Sequence, residues 1–514
     1  MRSFWLCRSA ERQTSGVSGL PLFRALCLII LGSWLPSIAP AQSLSPIVTA
    51  SGVAFDSRPW LDDLNQTRQA LATKYANLEW VVLDRELNMA ELFTETKHRI
   101  ETAANAAEAR AAFDRLARKL GDRHVEFQWR VQHDAIQPRT ADCTALGYDA
   151  RMFGAPVASL APNYVRLPSP VGAEFPAGIL KVGAHKVGVI KIGIFTPQGV
   201  PALCNAALAA LHISPDAPCD EVCSDRIETW ASDQMTSDLA IQLRALKAAG
   251  SEIVLVDVAN NGGGTEWAEA AARMVTAIHL KSERAGFVRG AHWSGVLVKK
   301  EAELRAAVDK ANEQDRAYLA ALADEVGALR REAETPCDSS PLWRGEHLTC
   351  RWLVYGLFST GILGSDSARM HGKPWARYVF TPAKFNYLGA VWRGPLIVLV
   401  NGSTGSAAEE FSAVLQDNHA AVVMGAPTVG AGCGHTDGGT PTTLNNSGGV
   451  LEVPDCARFR TDGSNEVMGI EPDVLVGLRS EDAPRRQALR VAAKLPEAVE
   501  RALKLHGLGA SGAR

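Results

Sequence analysis

Between residues 60 and 120 the apolar positions recur at helical spacing. Leu61, Leu64, Leu71 and Leu78 fall near one face, and so do Leu87, Leu92 and Ile100. The stretch 103–120 is Ala-rich with few breakers, a strong helix former, and Gly121 follows it as a helix-ending cap would. This pattern predicts a small leading domain made of helices. From about 125 the period changes. Residues 187–195 (VGVIKIGIF) read as a strand, and 224–249 as a helix stopped by Gly250. Residues 253–258 (IVLVDV) are apolar without alternation, as in a strand buried on both faces. A turn at 260–264 (NNGGG) and a helix at 265–278 come next. Residues 396–400 (LIVLV) repeat the buried pattern, then a Gly/Ser turn, a helix at about 407–417 and a short strand at 421–424. Strands alternating with helices predict an α/β core.

Residues 283–385 interrupt that core. The part 299–334 is charged, Ala-rich and helical in pattern, and 337–350 is a polar loop. The whole segment is expected to be a helical insertion that borders the active face. After 425 come loops and hairpins to about 476, and then a terminal helix over 482–506.

The first 41 residues follow another logic. Arg2, Arg8, Arg12 and Arg24 stand against one acid, Glu11; an apolar run follows at 25–35, then small residues ending Ala39-Pro40-Ala41. Basic, apolar, then A-x-A is the layout of a secretory signal peptide, with cleavage before Gln42. The run is shorter than the roughly 20 residues that span a bilayer, although an uncleaved anchor is the alternative. No later segment is apolar enough to span. The expected layout is a signal peptide (1–41), an N-terminal helical domain (42–125), the first part of the core (126–282), the insertion (283–385), the second part of the core (386–480) and a C-terminal helix and tail (481–514). The protein is expected to be exported, periplasmic or extracellular.

Composition narrows the classes further. The chain has 514 residues, 46% hydrophobic and 21% charged, with a formal net charge of −3. Those values argue against disorder, collagen and a multi-span membrane protein, and leave no basic footprint for nucleic acid. Export changes how the cysteines read. Beyond the signal stand Cys143, Cys204, Cys219, Cys223, Cys337, Cys350, Cys433 and Cys456. An even set in an oxidising compartment predicts disulfides. The pairs Cys337/Cys350 and Cys433/Cys456 each bracket one local loop, yet eight cysteines allow on the order of a hundred connectivities. A zinc site on Cys219 and Cys223 is the alternative, with no second C-x-x-C and no nearby histidine pair to complete it.

Three segments can carry chemistry. The turn after Val400, NGSTGSAAEE, places Ser406 between a buried strand and a helix. A serine there has its hydroxyl at the carboxyl edge of the sheet, and the next amide, Ala407, faces out at a helix N-terminus where it can stabilise an oxyanion. The plain reading is that Ser403, Thr404 and Ser406 cap the helix. The G-x-S-x-G elbow of α/β hydrolases is absent. The second segment is DVANNGGG at 257–264, whose glycines let the backbone approach a ligand and present amides. Without G-K-[ST] it is not a P-loop. The third is LGDRHV at 120–125, where His124 follows a helix-ending glycine and can serve as a base. His98, His133, His185 and His435 compete for that role. There is no H-E-x-x-H and no clustered Asp/His set, so neither a metal nor a cofactor is expected.

Together these pieces resemble the C-terminal-processing (tail-specific) serine peptidases. The order is strand-Asp-x-x-x-Asn-Gly-Gly, then strand-x-Ser-Ala-x-Glu-helix, then Gly-Ile-Glu-Pro-Asp at 469–473; Leu415-Gln-Asp417, LNNSG at 444–448 and the Asp462-Gly463 turn match as well. The resemblance covers about 60–125 and 185–480. It implies a ClpP-like, crotonase-like core of ββα units. The better-known branch uses a Ser–Lys dyad with its lysine in a Phe-Gly-Lys-Gly turn. Here the stretch is TVGAGCGH at 428–435; Ala431 stands where the lysine would be, and no lysine lies between Lys384 and Lys494. The other branch, which includes the tricorn core, uses serine, histidine and glutamate. The resemblance therefore implies Ser406 as nucleophile, His124 as base and Glu466 as the third member, acting through a hydrogen-bonded network. Gly263 (or Gly262) and Ala407 would form the oxyanion hole. Residues 126–185 are too few for a full PDZ module, so none is expected.

The implied function is an exported serine peptidase acting on peptide or protein substrates. A non-catalytic binding protein on the same scaffold and an ester-hydrolysing enzyme are the alternatives. All three candidate triad residues speak against the first. The triad alone does not separate ester from peptide hydrolysis.

Overall fold

The computed structural model describes residues 55–129, 140–149, 154–168, 175–479 and 481–512. The expected signal peptide and His133 lie outside the described residues. The helices that open the described part are Arg58–Lys74, Met89–Glu101 and Ala106–Leu120, with a π-helical turn at Trp80–Asp84. Asn88 and Asn105 cap the second and third through their side chains, and Gly121 closes the third at φ 73°. These helices share their core with later segments. Leu71, Phe113 and Leu120 pack in one cluster with Phe287, Trp352 and Leu451.

The central sheet has seven strands in the order Val474–Leu475, Val422–Gly425, Leu396–Val400, Ile253–Asp257, His185–Lys191, Ala177–Val182, Tyr164–Arg166. The first five run parallel; Ala177–Val182 is antiparallel to them, and Tyr164–Arg166 pairs antiparallel with Ala177–Val182. Both faces are covered, which explains the unbroken apolar runs. Val254, Val256, Val398 and Val400 pack with Leu239, Trp267 and Phe411, from the helices Glu221–Ala248, Trp267–Met274 and Ala407–Asp417. Ile253, Leu255, Ile397 and Leu399 pack with Val491, Leu495 and Val499 of the terminal helix Pro484–Gly512. Leu399 pairs with both Asp257 and Met424, so the strand ends lie level at one edge. The turns 258–264 and 401–406 leave from that edge.

The segment 283–385 is more than a helical insertion. Its helices Ala291–Lys310 and Glu313–Ala333 form a hairpin between two strands, Arg284–Val288 and Leu353–Phe358. Those strands pair with Cys456–Phe459 in a second, antiparallel sheet. They are short and carry Arg284, Tyr355 and Gly356, so no two-residue alternation announces them; a partner a hundred residues further on completes the sheet. A third small sheet, Glu126–Gln128 with Val450–Glu452 and Thr442–Thr443, ties the chain just after His124 to the loops beyond 425.

Disulfides join Cys337 to Cys350 and Cys433 to Cys456, the two pairs that bracket local loops. Cys143 is bonded to Cys204, and Cys219 to Cys223. The zinc alternative thus gives way, because both of its thiols are consumed. Among the described residues no helix is long and apolar enough to cross a membrane, and no group of three metal-ligating side chains occurs.

Candidate active site

Ser406 sits where the Leu396–Val400 turn enters the helix Ala407–Asp417, with φ 55° and ψ −123°. A non-glycine residue in that region is strained, so its neighbours must over-determine it. They do. Its N–H donates to Glu409 Oε2 (2.9 Å), Gly405 N–H to the Asn261 carbonyl (3.0 Å), and Thr404 Oγ1 to the Val258 carbonyl (3.0 Å). Asn401 Oδ1 accepts from Asn260 N–H (2.9 Å), and Asn401 Nδ2 donates to Asn260 Oδ1 (2.9 Å). The two strand-end turns are thereby stitched into one unit.

Gly263 lies against this unit at φ 116°. A Cβ there would fall 2.7 Å from Ser406 Cβ and 3.0 Å from Ala407 N, so only glycine fits. Its N–H, however, donates to Asn261 Oδ1 (2.8 Å). Among the described residues the N–H groups of Gly262, Gly264 and Ala407 make no hydrogen bond. Gly264, which the sequence reading passed over, lines the same cavity as Ser406 and Ala407.

Glu409 was quoted only as part of the motif, yet it links the Ser406 turn to the loop beyond. Fully buried, it accepts from Ser406 N–H, Thr428 Oγ1 (2.5 Å), Gly430 N–H (2.7 Å) and Ala431 N–H (2.9 Å). Burial raises its pKa, and Glu466 adds to the rise.

His124 follows the Gly121 cap. Its N–H donates to Asp122 Oδ1 (3.0 Å), and Asp122 is held by Asn77 (2.8 Å) and Tyr75 (3.2 Å). Burial pushes Asp122 up to about 6. The ring Nδ1 lies 2.6 Å from the Ala431 carbonyl. A carbonyl only accepts, so the proton is assigned to Nδ1 and Nε2 keeps its lone pair. Burial is the main cause that lowers the His124 pKa to about 4. The ring stands edge-on to His435 at 5.5 Å between centroids, and a Cβ on Gly434 would come 3.2 Å from its Cε1. No hydrogen bond joins His124 to Ser406; Ala431 connects them, with its carbonyl on the imidazole and its N–H on Glu409.

Glu466 is fully buried and bonds Arg458 rather than the imidazole. It takes both Nε and Nη2 (2.9 Å) of that guanidinium. Arg458 also donates to Glu410 Oε2 (3.0 Å) and to the carbonyls of Ser406 (3.2 Å) and Gly432 (2.9 Å). Glu466 thus reaches the Ser406 and Gly432 carbonyls, and not the imidazole, through an arginine that sequence reasoning missed. Its one signal was a charged residue in the short run CARF at 456–459. Burial drives the neighbouring carboxyls up, Glu410 to about 8 and Glu283 well above the carboxylate range.

The cavity at this edge measures about 340 Å³. Ser406, Ala407 and Gly264 form one wall; Trp293, Leu357 and Phe358 of the inserted segment form another; Arg458 and His435 also line it. Of the histidines that competed with His124, His435 is in the cavity wall. His185 pairs with Glu252 at the amino end of the central strands, opposite the edge that carries Ser406, and His98 lies in an N-terminal helix.

Residues 223–476, the segment holding Ser406 and Glu466, match the family model for Peptidase family S41. The chain is accordingly a serine-type peptidase, with an S41 domain over that segment. Comparison with curated proteins finds no match. Among solved structures, mature CPAF is 16% identical, covering 87% of this chain and 98% of that one with a TM-score of 0.52. Mature CPAF complexed with lactacystin gives 16%, 87%, 99% and 0.52. A peptidase-like protein from Parabacteroides merdae gives 14%, 88%, 97% and 0.43. At such identities the CPAF likeness is one of fold: a central sheet with a helical N-terminal region.

Proposed function

We propose that this protein is an exported peptidase that works through an acyl-enzyme on Ser406, with His124 as base and no catalytic lysine. The observation that carries the reading is the Ala431 carbonyl 2.6 Å from His124 Nδ1. It fixes the tautomer whose Nε2 can take a proton, at the position where the lysine-using branch has its base. Ser406 Oγ attacks the scissile carbonyl as its proton passes to Nε2, the two side chains closing on each other when substrate binds. Ala407 N–H, at the start of a helix, and an amide of Gly262 or Gly264 receive the oxyanion. Gly263 shapes the hole by its lack of a side chain. The imidazolium then protonates the leaving amine, and water, deprotonated by the same ring, releases the acyl group.

Glu466 acts at one remove in this scheme. It anchors Arg458, which holds the Ser406 and Gly432 carbonyls, so it is a positioning residue. Four disulfides among the described residues support export. The test is Ser406→Ala: fluorophosphonate labelling and peptide hydrolysis are expected to vanish while the melting temperature holds. Labelling that persists and maps to Ser403 would move the nucleophile.

A further inference from the structure

The cavity beside Ser406 contains two cations in opposite circumstances. Arg458 is fully committed, to Glu466, Glu410 and two carbonyls. Lys300, on the helix Ala291–Lys310, lines the same cavity and makes no hydrogen bond or ion pair with the described residues. Two more polar atoms of the lining residues lack a partner, Thr381 Oγ1 and His435 Nε2, both shielded from solvent. Leaving two such shielded groups unpaired is costly, and together with the uncommitted ammonium on the same cavity they mark a place where a ligand supplies the missing partners. We propose that Lys300 is a specificity-determining residue that binds a carboxylate of the peptide held in this cavity. The inference rests on the peptidase reading of Ser406.

The charges around Lys300 favour this ligand. Glu410 is paired with Arg458. Glu266 and Asp437 also line the cavity but are exposed, where water screens them, and neither forms an ion pair with Lys300. A cationic side chain would meet the uncommitted ammonium, whereas a carboxylate accepts from the ammonium and from the Thr381 hydroxyl together. Burial, followed by Lys384, lowers the Lys300 pKa, while Glu303, Asp437 and Glu266 oppose the fall. That carboxylate can come from an acidic side chain or from a peptide's own C-terminus.

Binding is measured by fluorescence anisotropy on the full chain carrying Ser406→Ala, which holds peptides without cleaving them. The probes are labelled six-alanine peptides with a free C-terminal carboxylate or a C-terminal amide, and amidated versions with Glu or Gln scanned through each position. A carboxylate peptide is expected to bind at least about tenfold tighter than its neutral counterpart. The free-acid and the Glu peptides tell which source the site takes. Adding Lys300→Gln should erase the preference, and Lys300→Glu should reverse it, so that the neutral peptide binds tighter than its carboxylate counterpart. Circular dichroism and melting temperature confirm that each variant is folded. No preference in the parent, or a preference that survives Lys300→Gln, overturns the proposal. A preference lost with Lys300 while the enzyme with Ser406 intact cleaves none of these peptides supports the carboxylate site and counts instead against the peptidase reading.

Discussion

The two sides of the cavity beside Ser406 are held by different forces. On the strand-end side, neutral groups do the holding: Asn401 on Asn260, Asn261 on Gly263, Thr404 on Val258. On the side where His124, the 431–434 loop and Arg458 meet, buried charges do it. Arg458 is bonded to Glu466 and Glu410, and Glu283 lies 3.8 Å from both Arg458 and Arg460 with no hydrogen bond on either oxygen. A neutral hydrogen bond contributes about 1 kcal/mol and does not depend on pH. Removing one partner of a buried ion pair leaves an uncompensated charge and costs about 3–5 kcal/mol. The two strand-end turns are therefore joined to each other by bonds that fail gently, and the surroundings of Arg458 are held by bonds that fail abruptly.

The sharpest way to separate the two sides is to remove the proposed base. His124→Ala is expected to slow single-turnover acylation by about 10²–10⁴-fold, with little change in melting temperature. An undiminished rate would send the search to His435. The same enzyme's pH profile sharpens the point. The imidazole accepts a proton only when neutral, and burial lowers its pKa to about 4, so activity should rise with pH through about 4 and be level by neutrality. A limb at the ordinary imidazole value, about 6.5, would mean that the ring is wetter in the working enzyme than in this structure.

Next in size is Arg458→Met. It strands Glu466 and Glu410 in the interior, and an expected loss of about 3–5 kcal/mol should appear in chemical denaturation together with lower activity. Glu466→Gln keeps the shape but removes a charge, so it should cost less acylation than His124→Ala. Combining it with Arg458→Met should cost less than the two added together, because they share one interaction. Strict additivity in that cycle would break the link drawn from Glu466 through Arg458 to Ser406. The smallest effect is expected on the neutral side. Asn401→Ala orphans Asn260 N–H and should cost about 1–3 kcal/mol with an unshifted pH profile. A shifted profile would show that the two sides are not independent.

The sequence by itself determined the elements whose causes are local. The runs 253–257 and 396–400 lacked alternation because each is covered on both faces; Gly121 ended a helix because glycine takes positive φ; the Gly/Ser turn put Ser406 at a helix start. The near cysteine pairs were legible because each closes one loop. Tertiary structure alone decided the rest. His124 and the Ala431 carbonyl stand 307 residues apart in the chain, and a backbone carbonyl leaves no mark in a sequence. Arg458 looked like any strand residue until folding buried it between Glu466 and Glu410. The Gly263 amide was free in the motif and bonded to Asn261 in the fold. Spacing and turn chemistry act over a few residues, whereas charge pairing and carbonyl placement depend on which distant segments share one buried, low-dielectric space.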